Sequence, residues 1–199
     1  SDVCSSDLLA IKPYPRELEE DVPLADGRVL WLRPVLPEDE PALQRAFHKL
    51  TPDEIYLRFF APLKALTHAM ATRFTQIDYD RQMVLILTDH GAPGTTEYYG
   101  SVNIVCDPDM QRAEYAILVR HDMTGKGLGG LLMRRIIAYA RRRGIREIFG
   151  EVLSQNHSML SLCQQLGFRL EANPHDHSVV TVRLPLDAAV EGGAGAKDP

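Results

Sequence analysis

The chain lacks the long apolar runs, the cysteine density and the surplus of positive charge that mark membrane, disulfide-stapled and polyanion-binding proteins. No stretch approaches the roughly 20 consecutive apolar residues that a bilayer-spanning helix needs, and no basic segment followed by an apolar one stands at the N-terminus. No membrane partner is expected, and the protein is expected to be cytoplasmic. There are only three cysteines, Cys4, Cys106 and Cys163, far apart and without a CxxC pair or a histidine at ligand spacing. That excludes a disulfide framework and a zinc site from the expectations. His157, His175 and His177 lie close together, but no cysteine or carboxylate completes a ligand set, so they read as solvated loop residues and no metal is expected. Lys and Arg number 22 against 27 Asp and Glu, for a net charge of -5. A nucleic-acid surface needs the opposite balance, so no nucleic-acid partner is expected.

What is present suits one well-filled core: 199 residues, 45% hydrophobic and 25% charged. Residues 1–8 resemble the translation of a sequencing-adapter tail and are set aside, Cys4 with them. Residues 9–21, with Pro13, Pro15 and an acidic run, read as a linker, and 187–199, rich in Ala and Gly, as a disordered tail. The working domain is residues 22–186.

Within it, Arg-Val-Leu-Trp-Leu-Arg at 28–33 alternates as a first strand would. Pro37 opens a helix, Thr51-Pro52-Asp53-Glu54 supplies a capping box for a second, and a third runs over 68–76. Residues 83–87, 98–106 and 113–119 read as strands, the last two an antiparallel pair. After Val119 the period changes. Leu128, Leu131, Leu132, Ile136, Tyr139 and Ala140 share one helix face, which Gly144 ends. A strand over 145–153, a helix over 156–166 and two closing strands follow, the last over 179–184. Only the strands flanking the central helix are linked as a parallel crossover, so the sheet is expected to be mixed and covered by helices.

Between the strand ending at Val119 and that helix stands Thr124-Gly125-Lys126-Gly127-Leu128-Gly129, followed by Gly130. Glycines let the backbone approach a ligand closely, and the free N–H groups and dipole of a helix start favour an anion. The turn therefore reads as a phosphate cradle, with Lys126 either adding charge or standing solvated. A Walker A loop is excluded, because Gly129-Gly130-Leu131 stands where Gly-Lys-Ser/Thr is needed. Gly125, Gly127 and Gly130 also spell GxGxxG, with Glu151 about 20 residues on, but too little chain remains for the further βα units of a dinucleotide fold.

The turn resembles the signature of the GNAT acetyltransferase superfamily, Arg/Gln-x-x-Gly-x-Gly/Ala. Gly127 and Gly129 fill its two small positions, and Thr124 stands in place of Arg or Gln. Asn156, Leu160, Leu162 and Leu166-Gly167-Phe168 are similar to the family's second motif. Tyr56-Leu57-Arg58-Phe59-Phe60, Gln76-Ile77-Asp78-Tyr79-Asp80 and Ala113-Glu114-Tyr115-Ala116 resemble, more narrowly, the GNAT domain of bacterial protein lysine acetyltransferases, which is joined to an NDP-forming acyl-CoA-synthetase-like region. Residues 11–19 look like the junction after such a region, so the chain is expected to be either a fragment or a free-standing form.

The resemblance implies an α/β protein of α+β type, the GNAT fold, with a mixed, mostly antiparallel twisted sheet of six to seven strands flanked by helices. It implies acetyl-CoA as co-substrate and transfer of its acetyl group to a protein lysine, with acetyl-CoA synthetase as the expected acceptor. Acetylation of a small amine and a non-catalytic acetyl-CoA-binding module are the alternatives. Glu114 falls where the family keeps a glutamate general base, and it can equally be a strand carboxylate paired with Arg112. Ile117, Leu118 and Val119 would hold the pantetheine arm, the N–H of Leu118 polarising the thioester carbonyl. Asn156 either touches the coenzyme or simply caps its helix. Cys163 replaces the tyrosine that protonates the leaving thiolate in many relatives, and it reads first as packing.

Overall fold

The structure is a computed structural model that describes residues 12–186. The expectations for residues 1–8, Cys4 included, and for 187–199 lie outside the described residues. Eight strands form one sheet, β1 (Glu20–Pro23), β2 (Val29–Pro34), β3 (Gln82–Thr88), β4 (Tyr98–Cys106), β5 (Arg112–Val119), β6 (Glu147–Leu153), β7 (Arg169–Ala172) and β8 (Val179–Pro185), in the order β1-β2-β3-β4-β5-β6-β8-β7. Every neighbouring pair is antiparallel except β5 and β6. Five helices flank it: α1 (Glu40–Phe47), α2 (Pro52–Phe59), α3 (His68–Thr75), α4 (Leu128–Arg142) and α5 (His157–Gln165).

The alternation of each strand divides its side chains between two layers. Met83, Leu85 and Leu87 of β3 join Leu132, Met133 and Ile136 of α4 in the larger core. Val84 and Ile86, from the same strand, face the other way and pack with Ala42 and Ala46 of α1. The helices α1, α2 and α3 then close over that face through Phe47, Ile55 and Ala71.

The strand β1 is the one beyond the expected six to seven, and its first two residues fall in the expected linker. A four-residue strand preceded by prolines and acids carries too short a pattern to be read from sequence. Nor is the segment before it loose. Tyr14 donates its hydroxyl to Pro34 O (3.4 Å) and meets Tyr79 edge-on, while Glu20 is held by Arg135 through two bonds of 2.6 and 2.7 Å.

The start of α1 is fixed by a buried ion pair. Asp39 accepts two bonds of 2.7 Å from Arg33 and one of 2.8 Å from the Leu36 N–H. It also accepts from the Gly94 N–H (3.2 Å), which ties β2, the helix start and the β3–β4 connection together. Gly94 has φ +79°, and a Cβ there would lie 2.1 Å from Glu38 O, so no side chain fits.

Candidate active site

The functional geometry follows from how briefly β5 and β6 stay together. They pair only from Arg112 to Glu114, opposite Glu147 to Phe149. Beyond that, β5 keeps β4 as its partner up to Val119 while β6 keeps β8 up to Leu153. The sheet is thereby split, and among the described residues one edge of β5 has no strand beside it. A cleft of about 420 Å³ opens there, walled by α2, β5, the glycine turn and α5. A second cavity of about 220 Å³ holds Glu114 and Glu151 in its wall. The two share Leu57, Arg58, Ile117, Asn156 and Met159, so they meet at the middle of β5.

The direction of the β5 backbone can be read from its bonds to β4. Arg120 N–H donates to Tyr99 O (3.0 Å) and Asp107 N–H to Arg112 O (2.8 Å), at the two ends of an unbroken register. Residues of an antiparallel strand alternate between bonding one neighbour and facing away from it. Glu114, Ala116 and Leu118 are in step with Arg112 and Arg120 and so direct N–H and C=O at β4. Tyr115, Ile117 and Val119 direct theirs at the split. The expectation for Leu118 is corrected here: its N–H is turned toward Ser101, and the cleft-facing donors are those of Ile117 and Val119. Sequence alternation has two equivalent phases, and only the pairing tells them apart.

At one end of the cleft, Gly125 and Gly127 have φ of +77° and +75°. Nothing lies within 4 Å of where a Cβ would stand on either, so the left-handed turn leaves open space on its ligand side. Gly127 caps α4 without any side-chain bond, and the first helical bond is Leu131 N–H to Gly127 O (3.0 Å). The N–H groups of Leu128, Gly129 and Gly130 precede that bond and have no acceptor within the helix. An uncapped helix start next to an open turn fits an anion.

Of the residues expected in the cradle, Thr124, Gly125, Gly127, Leu128 and Gly129 line the cleft. The Thr124 hydroxyl donates to His121 O (2.8 Å), which leaves its side chain engaged within its own loop. Lys126 is not in the cleft wall, and its ammonium stands 3.6 Å from Asp26. Gly130 is turned to Arg134, whose Nη1 would lie 3.0 Å from a Cβ there.

Glu114 is exposed in the wall of the smaller cavity. It does not pair with Arg112, whose Nε donates to Glu147 (2.8 Å). Among the described residues Glu114 makes no ion pair. Asn156 keeps both of its expected roles open, since its side chain accepts from Met159 N–H (3.2 Å) as an N-cap and also lines both cavities. Cys163 is fully buried, pairs with the Tyr115 hydroxyl (3.2 Å) and lines neither cavity. Burial pushes its thiol above the ordinary range. Cys163 is a packing residue.

Two groups escaped the sequence reading. Arg58 lies in the wall common to both cavities, half-buried, with one side-chain bond to Asn103 Oδ1 (3.2 Å). Glu54 is half of the capping box, accepting from Thr51 N–H (2.6 Å). It also accepts from the backbone N–H of His121 (2.6 Å) and meets its ring at 3.0 Å, across the cleft entrance. No sequence signal marks a contact between residues 67 positions apart. Among the described residues no group of His, Cys, Asp and Glu is placed to hold a metal ion, and no helix is long and apolar enough to cross a membrane.

Comparison with known proteins points the same way as the cleft. Residues 45–168 match the Acetyltransferase (GNAT) family. The chain is 31% identical over 163 residues to an acetyltransferase of Pseudomonas aeruginosa, covering 82% of this chain and 87% of that one. It is similar to the crystal structure of the GNAT domain of S. lividans PAT, with a TM-score of 0.77 and 30% identity over 87% of this chain and 100% of that one. It is 28% identical over 153 residues to the acetyltransferase Pat of Mycolicibacterium smegmatis, of which it spans 43%.

Proposed function

Because the chain belongs to the acetyltransferase (GNAT) family, we propose that it transfers the acetyl group of acetyl-CoA to a lysine side chain of a protein, with acetyl-CoA synthetase as the expected acceptor. The observation that carries this reading is the split between β5 and β6, with the uncapped glycine turn at one end and an unpaired carboxylate at the other. The turn suits the coenzyme's pyrophosphate, through the N–H groups of Leu128 and Gly129. The cleft-facing N–H and C=O groups of Ile117 and Val119 suit an extended amide-bearing arm, which would lie beside β5 as an added strand does.

An amine attacks a thioester only when neutral, and lysine is protonated at neutral pH, with a reference pKa near 10.4. Glu114, on the side of the split away from the glycine turn, is the group that takes this proton, directly or through water. The N–H of Ile117, at the meeting of the two cavities, then faces the oxygen on which charge develops during attack. No side chain is assigned as the acid for the leaving thiolate, because the Cys163 thiol is buried against Tyr115. The protein-lysine acceptor is favoured by the resemblance of residues 56–60, 76–80 and 113–116 to bacterial protein lysine acetyltransferases.

The test is incubation with acetyl-CoA and purified acetyl-CoA synthetase, read by peptide mass spectrometry. Acetylation of a lysine that depends on this protein supports the reading. Turnover with polyamines or aminoglycosides alone replaces the acceptor, and coenzyme binding without turnover leaves only a binding module.

A further inference from the structure

Arg58 contributes to the walls of three cavities around the middle of β5. It lines the coenzyme-sized cleft, the cavity of Glu114, and a narrow apolar cavity of about 40 Å³ between α1, α3 and β4. Its ring contacts are with Phe59 and Phe74, at 5.0 and 5.6 Å from the centroids. Its one side-chain bond, to the neutral Asn103 amide, satisfies a single donor. Among the described residues it has no carboxylate partner, although Arg33, Arg112, Arg120, Arg135, Arg143 and Arg183 all do. An arginine held by no carboxylate, with most of its donors unspent at the junction of two cavities, keeps its charge available to what enters them.

We propose that Arg58 is an electrostatic positioning residue for the transfer reaction, whose charge in the wall of the Glu114 cavity discharges the acceptor ammonium. This rests on the acetyltransferase reading above. A cation beside an amine disfavours its protonated form. The effect brings the reactive neutral amine to lower pH. The step itself balances. The proton leaves the ammonium for Glu114, the freed nitrogen pair attacks the thioester carbon, and the carbon–sulfur bond breaks with its electrons on sulfur. The nitrogen gives up its second proton as the amide forms, and that proton ends on the thiolate by way of solvent.

The other charged and titratable groups around Arg58 leave it this role. On α2, Glu54 is held by Thr51 and His121. On β4, burial pushes the Tyr98 hydroxyl up to about 12, and burial likewise raises Tyr99, so both are neutral. On β5, Tyr115 is raised by burial and bonded to Cys163, and Arg120 is spent on Glu97 and Asp122. On β6, Glu151 is exposed in the same cavity as Glu114 and, like it, free of ion pairs among the described residues. The two carboxylates draw an ammonium in, and Arg58 is the cation in that cavity wall that then opposes its charge.

The experiment is the pH dependence of kcat at saturating acetyl-CoA, for wild type, Arg58→Gln and Arg58→Lys. Purified acetyl-CoA synthetase and, separately, spermidine serve as acceptors. Removing the charge moves the acidic limb of the Gln variant up by about one pH unit. Its kcat is then roughly tenfold below wild type at pH 7 and approaches it in alkali, while the Lys variant keeps the wild-type limb. A limb that coincides with wild type in the Gln variant, whether its activity is high or low, overturns the role. Wild type that binds acetyl-CoA but turns over neither acceptor overturns the acetyltransferase reading, and this one with it.

Discussion

Glu54, in the first turn of α2, accepts hydrogen bonds from both the backbone N–H and the ring of His121, and so fastens the helix over the cleft to the loop that leads into the glycine turn. Burial alone would raise the Glu54 carboxyl, but the N–H of Thr51 and the two His121 contacts hold it below the ordinary range. A carboxyl lowered by folding contributes stability above its unfolded pKa and loses it as pH falls through the folded value. The stability gap between wild type and Glu54→Gln should therefore be level from about pH 5 to 7 and shrink below about pH 4. Circular dichroism across an acid series reads it. His121→Ala keeps the backbone bond and should weaken acetyl-CoA binding less than Glu54→Gln does.

Gly127 and Gly129 should respond differently to alanine. The φ of +75° at Gly127 makes any side chain strained, at a cost of about 1 to 2 kcal/mol, and puts a methyl group on the ligand side of the turn. At Gly129, inside α4, a Cβ would meet Leu162 Cδ2 at an ordinary 3.6 Å. Gly127→Ala should lower both Tm and acetyl-CoA affinity, whereas Gly129→Ala should fold at least as well as wild type. Thermal melts with and without acetyl-CoA separate the two effects.

The Arg33–Asp39 pair is buried on both sides, and Asp39 also serves the N–H groups of Leu36 and Gly94. Asp39→Ala strands a buried guanidinium and should cost about 3 to 5 kcal/mol in urea unfolding. Glu20→Gln, which breaks the half-exposed pair with Arg135, should cost no more than about 1 kcal/mol.

Cys163→Ala removes a sulfur from the core and the partner of the Tyr115 hydroxyl. It should lower stability by about 1 kcal/mol and leave kcat within about twofold of wild type, because the thiol has no path to the cleft. A kcat loss of a hundredfold or more in this variant would restore a chemical role to the thiol.

Much of this architecture is legible in the sequence. The capping box at Thr51, the change of period at Leu128 and the turn residues between strands gave seven of the eight strands and all five helices, because each rests on local chemistry. The glycine turn was legible for the same reason. The phase of β5, which moves the cleft-facing N–H from Leu118 to Ile117, was not, since it is set by Tyr99 and Arg120 pairing across strands. Arg58 lies inside the Tyr-Leu-Arg-Phe-Phe stretch, which by itself assigns it no role, and Glu151 has in sequence only the spacing of an acidic residue in a dinucleotide fingerprint. Their significance comes from the split of the sheet, which no local pattern encodes.

The central claim is that acetyl transfer runs through the split, with Glu114 as its base. The direct measurement is coenzyme A release from acetyl-CoA with purified acetyl-CoA synthetase as acceptor, for wild type beside Glu114→Gln, together with the acetyl-CoA affinity of each. The account predicts unchanged affinity and a kcat about 10² to 10⁴ lower in the variant. Equal kcat in the two proteins would contradict it.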